Sequence, residues 1–152
     1  MNKLVAVIPQ ILKYLLIGAV CGLALNTLIM KSPLPEIFPY YVETTEKNIY
    51  SVDIMYGIFL YCMVSPLLEE ILFRVFLYNF LYSKLGFYAA SFLSSLVFAI
   101  FHMNMVQGVY GFIMALLICF LYNRDHNIYV PVSIHIGANT AVWLFANLIF
   151  GI

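Results

Sequence analysis

The chain has 152 residues, of which 64% are hydrophobic and 9% charged, and its seven Lys and Arg balance its seven Asp and Glu. With a mean hydropathy of +0.99, it lacks the polar surface a water-soluble globule needs and the clustered cations that nucleic-acid phosphates require, which excludes both classes. The composition predicts an all-α, polytopic transmembrane helix bundle: one integral membrane domain over residues 1–152, with the lipid bilayer as its main solvent.

The first predicted element is a membrane helix from about Gln10 to Met30. It is expected to be retained rather than cleaved, because the apolar run is long for a signal peptide and leads into Lys31-Ser32-Pro33 without a small-x-small cleavage pattern. Lys31 to Asn48 carries Pro33, Pro35 and Pro39 with Glu36, Glu43, Glu46 and Lys47, and is expected to be an exposed loop. Tyr50 to Lys84 would be about 52 Å long as one straight helix, too long for an apolar core of about 30 Å. Ser65-Pro66 is expected to bend it, with Ser65 as an N-cap, and Asp53 to be surface charge.

Gly86 ends that segment, and Phe87 to Met103 forms the third helix, closed by the polar link Asn104 to Gly108. Val109 to Tyr122 is the fourth helix. The charged turn Asn123 to Asn127 follows, in which His126 reads as a solvated residue, and Ile128 to Phe150 is the fifth helix. About five membrane helices result. Lys3, Lys13, Lys84 and Arg124 fall on one side and Lys31 and Lys47 on the other, which places the N-terminus in the cytoplasm. Tyr82, Tyr88, Tyr122 and Tyr129 would mark the inner boundary and Tyr40, Tyr41 and Tyr50 the outer one. Cys21, Cys62 and Cys119, all in apolar stretches, are expected to be reduced packing residues, and Trp143 to serve packing or lipid contact.

Glu69, Glu70 and Arg74 interrupt an apolar run, where each ionised side chain costs on the order of 3 kcal/mol to insert. Glu70 and Arg74 stand four apart with the acid first, so they share a helix face and can pair. Glu69 is left without a counter-ion of its own, and a carboxylate in an apolar setting is a better proton acceptor near neutral pH than a solvated one. His102 closes the third helix, while His135 and Asn139 share one face of the last. Either imidazole alone is most simply a satisfied core residue; together the groups suggest one constellation drawn from three segments. Two imidazoles and a carboxylate, Glu69, His102 and His135, could also ligate zinc, although there is no HExxH helix.

Glu69-Glu70-Ile71-Leu72-Phe73-Arg74, Phe98-Ala99-Ile100-Phe101-His102 and His135-Ile136-Gly137-Ala138-Asn139 follow one another in that order. They resemble the EExxxR, FxxxH and HxxxN motifs of the CAAX-protease and bacteriocin-processing (CPBP, Abi) family of intramembrane proteases, type II CAAX prenyl endopeptidases among them. The likeness runs from about Val64 to Ala141, inside a motif-bearing core of about residues 50–150. It includes Ser94-Ser95-Leu96-Val97-Phe98 and Val130-Pro131-Val132-Ser133-Ile134-His135. Members often carry Gly directly after the motif arginine, where this chain has Val75.

The resemblance implies an intramembrane endopeptidase in a prokaryotic cell membrane. Glu69 would act as general base on a water, helped by His102; His135 and Asn139 would stabilise the oxyanion; Glu70 and Arg74 would support the site. It implies no cofactor, with zinc on Glu69, His102 and His135 as the less favoured alternative. The substrate would be a membrane-associated peptide or protein, such as a prenylated tail or a leader peptide. Two rivals remain: a non-proteolytic bacteriocin-immunity or scaffold protein, and a small transporter or ion pathway. One conflict stands within these expectations. Counting about 1.5 Å per residue from the inner boundary puts Glu69 and His102 near 22 Å deep but His135 near 10 Å.

Overall fold

In lipid every backbone N–H and C=O must find a partner within its own segment, which restricts spanning structure to helices or closed barrels. In the computed structural model, which describes residues 3–41 and 51–150, all regular structure among those residues is helical. Helix α1 covers Lys3–Met30 and is followed by a single turn, α2, at Leu34–Ile37. The apolar run Ile54–Phe101 is broken once, at Gly86, into α3 (residues 54–85) and α4 (residues 87–101). Helix α5 is Met105–Asp125 and α6 is Tyr129–Phe150.

Gly86 has φ 75° and ψ −179°, a conformation open in practice to glycine alone. The chain reverses there, so that Tyr78 on α3 packs against Ala90 on α4, and the Phe73 and Phe98 rings meet edge to face at 5.0 Å. Asn104 caps α5 by accepting from the N–H groups of Val106 and Gln107, which starts that helix at Met105 rather than Val109. Asp53, expected to be plain surface charge, likewise caps α3 through Met55 and Tyr56 N–H.

Helices α1 and α6 are in backbone contact. A Cβ on Gly18 would lie 1.9 Å from the Ile134 carbonyl oxygen, and one on Gly137 would lie 2.1 Å from that of Leu15. Such small-residue contacts are how membrane helices associate when lipid is as apolar as leucine. Behind them, Tyr14, Met114, Ile118, Val130, Ile134 and Ala138 form one buried cluster joining α1, α5 and α6. Helix α4 meets α5 through Ser94 and Ser95, both buried beside Cys119. The three cysteines are free thiols, as expected.

The five long helices expected are present as α1, α3, α4, α5 and α6, while several finer expectations are corrected. Among the described residues, three stretches are long and apolar enough to cross a membrane, Val7–Met30, Ile54–Phe101 and Met105–Asp125. The middle one holds two of the expected helices, on either side of Gly86. The segment after α1 is not a plain exposed loop. Ser32 Oγ accepts from Leu34 N–H to start α2, Pro35 is buried, and Tyr41 packs against Ile29 at the end of α1 and Val106 at the start of α5. The expectations for Glu43, Glu46, Lys47, Asn48 and Tyr50 lie outside the described residues. Val75 faces outward, so no tight helix contact calls for glycine there.

The depth conflict is partly resolved at the start of α6. Tyr78 Oη donates to Asn123 Oδ1 at 3.2 Å, and the Tyr82 and His126 rings lie 6.4 Å apart. The α5–α6 connection is thus level with Tyr78 and Tyr82, not with the Gly86 turn, which brings His135 about 6 Å closer to the site. His126 itself is exposed, as expected, and closes α5 in the left-handed conformation at φ 47°.

Candidate active site

The site is assembled on an irregular stretch of α3. Two π-helical segments, Ile58–Val64 and Ile71–Tyr78, flank the α-helical turn Ser65–Glu70. Such wide turns are frequent where a helix carries function. In the first of them Ser65 N–H reaches five residues back, to the Leu60 carbonyl. Pro66 comes next and has no N–H, so the Tyr61 carbonyl is left without a donor from its own helix. Asn139 of α6 supplies one, its Nδ2 donating to Tyr61 O at 3.0 Å. Ser65 is not the N-cap that its sequence position suggested, because Val64 and Ser65 both have helical dihedrals and the helix runs through. Its hydroxyl instead donates to Glu69 Oε1 one turn later, at 2.5 Å.

The two adjacent glutamates have different environments. Glu70 and Arg74 are both 0% exposed, with Arg74 Nε 3.1 Å from Glu70 Oε2. That contact is one of charge rather than a directed hydrogen bond, since neither atom has hydrogen-bond geometry among the described residues. Arg74 also lays its guanidinium over the Phe98 ring at 5.2 Å. The other Glu70 oxygen, Oε1, accepts from His135 Nδ1 at 2.7 Å. A carboxylate only accepts, so Nδ1 carries a proton and His135 turns Nε2 toward Glu69, whose Oε2 lies 3.7 Å away. This distance fits an ion pair and exceeds a hydrogen bond. The side chains of Glu69 and His135 are 19% and 9% exposed, so both are shielded yet reachable.

His102 Nδ1 lies 2.9 Å from the Phe98 carbonyl, which also only accepts. Nδ1 therefore bears the proton, and in the neutral ring Nε2 keeps its lone pair. Phe98 sits between these groups, its ring 4.8 Å from that of His102 and 5.9 Å from that of His135. Gly111 on α5 makes room, because a Cβ there would come within 3.2 Å of Phe98 and 3.5 Å of His102.

A cavity of about 250 Å³ is lined by Glu69, His102, His135, Asn139, Ser65 and Tyr61, among others. All four residues expected at the reacting centre thus border one space, while Glu70 and Arg74 stand behind it. Asn26, Gln107 and Tyr110 also border the cavity. They carried no sequence signal, being single polar residues on apolar helices, whereas Ser65 did, since it precedes Glu69 by one helical turn. No three His, Cys, Asp or Glu side chains among the described residues are placed to share a metal ion, so Glu69, His102 and His135 do not fit a zinc centre.

An apolar helix bundle holding a shielded cavity, bordered by a carboxylate and two imidazoles from three helices, defines a polytopic membrane protein with an embedded polar site. The profile of the family described as type II CAAX prenyl endopeptidase Rce1-like matches residues 51–141, which contain all three motifs, and the chain belongs to that family. It is also 38% identical over 80 residues to the Bacillus subtilis (strain 168) protein named "Putative membrane peptidase YdiL". That alignment covers 53% of this chain and 33% of the relative, so the chain matches about a third of that protein's length. No solved structure matches.

Proposed function

We propose that the chain is an intramembrane endopeptidase that hydrolyses a peptide bond of a membrane-associated substrate with a water activated by Glu69. The observation that carries this reading is the meeting of Glu69 with His135 Nε2, at 3.7 Å, on a cavity that His102 and Asn139 also border. In the proposed reaction Glu69 takes a proton from the water while His102 Nε2 accepts a hydrogen bond from its second hydrogen. The hydroxide adds to the scissile carbonyl carbon. The resulting oxyanion accepts from Asn139 Nδ2 and, when His135 carries protons on both nitrogens, from His135 Nε2. That protonation state also balances Glu69 and Glu70 against Arg74. Collapse of the intermediate breaks the C–N bond, and the Glu69 proton passes to the leaving amine.

Glu70 and Arg74 act on this chemistry through His135, whose ring Glu70 orients. A prenylated tail or a leader peptide such as that of a bacteriocin suits a site reached from the membrane, and the cation count supports a cytoplasmic N-terminus in a prokaryotic cell membrane. The test compares the protein termini of cells carrying the wild-type chain with those of cells carrying Glu69→Gln. New termini in membrane-associated proteins should be present with the wild type and missing with the variant, and they name the substrate. Identical sets of termini would leave the immunity or scaffold reading in its place.

A further inference from the structure

At the far end of the bundle from α2, Gln10, Lys13 and Tyr14 of α1 meet Arg124 and Asp125 of α5 and Tyr129 of α6 around an open, polar pocket. Its walls are fixed by contacts between residues more than a hundred positions apart. Tyr14 donates its hydroxyl to Asp125, and Tyr129 donates to Gln10. Lys13 lies over the Tyr14 ring, 4.8 Å from its centre. Asp125 is therefore engaged by a neutral partner, and neither Lys13 nor Arg124 forms an ion pair among the described residues. Two exposed cations thus face a preformed space together with the hydroxyl-bearing rings that frame it.

The pocket stands at the depth of a lipid headgroup. From Lys13 to Met30 is about 26 Å along α1, close to the thickness of an apolar core, so Lys13 falls at the boundary rather than within it. Arg124 occupies the last turn of α5 and Tyr129 the first of α6, where aromatic and cationic anchors belong. Basic pockets between helix ends at this level suit phosphate.

We propose that this pocket binds the phosphate of a net anionic ligand between Lys13 and Arg124, in preference to the zwitterionic phosphate of phosphatidylcholine, at a site separate from the cavity that holds Glu69. The test uses the full chain in nanodiscs containing equal parts phosphatidylglycerol and phosphatidylcholine, with retained lipids counted by native mass spectrometry. The wild type should retain phosphatidylglycerol over phosphatidylcholine by about tenfold or more, and Lys13→Gln with Arg124→Gln should erase that preference. Asp125→Asn keeps an acceptor for Tyr14 and removes the repelling charge, so it should raise the preference. Lys13→Arg with Arg124→Lys keeps both charges and should preserve it. Displacement of the lipid by millimolar inorganic phosphate would identify a soluble phosphate as a ligand of the same site, whereas resistance would identify the lipid. Equal retention of the two lipids by the wild type, together with no binding of inorganic phosphate, would overturn the proposal. So would an unchanged preference in the double Gln variant.

Discussion

Pro66 removes one amide hydrogen from α3, and the carbonyl of Tyr61 then has to find a donor elsewhere. Asn139 provides it from α6, which ties the last motif to the first through backbone rather than through chemistry alone. Leaving a shielded carbonyl unpaired costs about 1–3 kcal/mol, so Asn139→Ala should lower the thermal stability of the chain in detergent by that order. Pro66→Ala returns an N–H next to that carbonyl and should recover part of the loss when combined with Asn139→Ala, as read by a double-mutant cycle of unfolding transitions. Strict additivity of the two substitutions would contradict this account. The pairing of Glu70 with Arg74 was legible in the sequence because four residues along a helix is a local relation. The bond from Glu70 to His135 was not, since it joins residues 65 positions apart and depends on how α3 and α6 cross. Ser65 shows the converse, a local signal that could be read as either a cap or a partner for Glu69, and the π-helical turn before it decided for the partner.

At the scale of elements, two glycines do different work. Gly86 needs its backbone conformation and has nothing within 4 Å of where a Cβ would stand, whereas Gly137 needs space, a Cβ there lying 2.1 Å from the Leu15 carbonyl oxygen. Gly86→Ala should cost about 1–3 kcal/mol through strain in the α3–α4 turn, with the cavity unchanged. Gly137→Ala should instead push α1 from α6, in the helix that carries His135 and Asn139. It should therefore lower both stability and activity, and parallel melting and cleavage assays separate the two effects. Equal loss of activity in both variants would contradict the division. The helix order was readable from hydropathy and from Gly86, Asn104 and His126. The contact of α1 with α6 was carried only by the four-residue spacing of Gly18 and Gly22, where a Cβ on Gly22 would lie 2.8 Å from that of Ala138, a pattern that apolar periodicity does not register. The burial of Tyr41 was likewise hidden, because a proline-rich polar composition says nothing about folding back onto α1.

For the whole molecule, the charged groups of α3 and the polar groups of α4 and α6 that would be costly in lipid are gathered inward, while large apolar side chains such as Leu16, Phe59, Phe76 and Phe120 face outward. The motifs located the polar centre, and the depth count misplaced His135 in part because the α5–α6 connection lies beside Tyr82 instead of at the Gly86 turn. The central claim is that Glu69 activates a water for amide hydrolysis inside this bundle. It is tested most directly by purified wild type and Glu69→Gln in proteoliposomes holding a mixed pool of membrane-tethered peptides, with an excess of metal chelator present. The wild type should cleave peptides with the chelator present, and the variant should be slower by about 100-fold or more while keeping the wild-type helical circular dichroism. Cleavage by Glu69→Gln at the wild-type rate would contradict the claim.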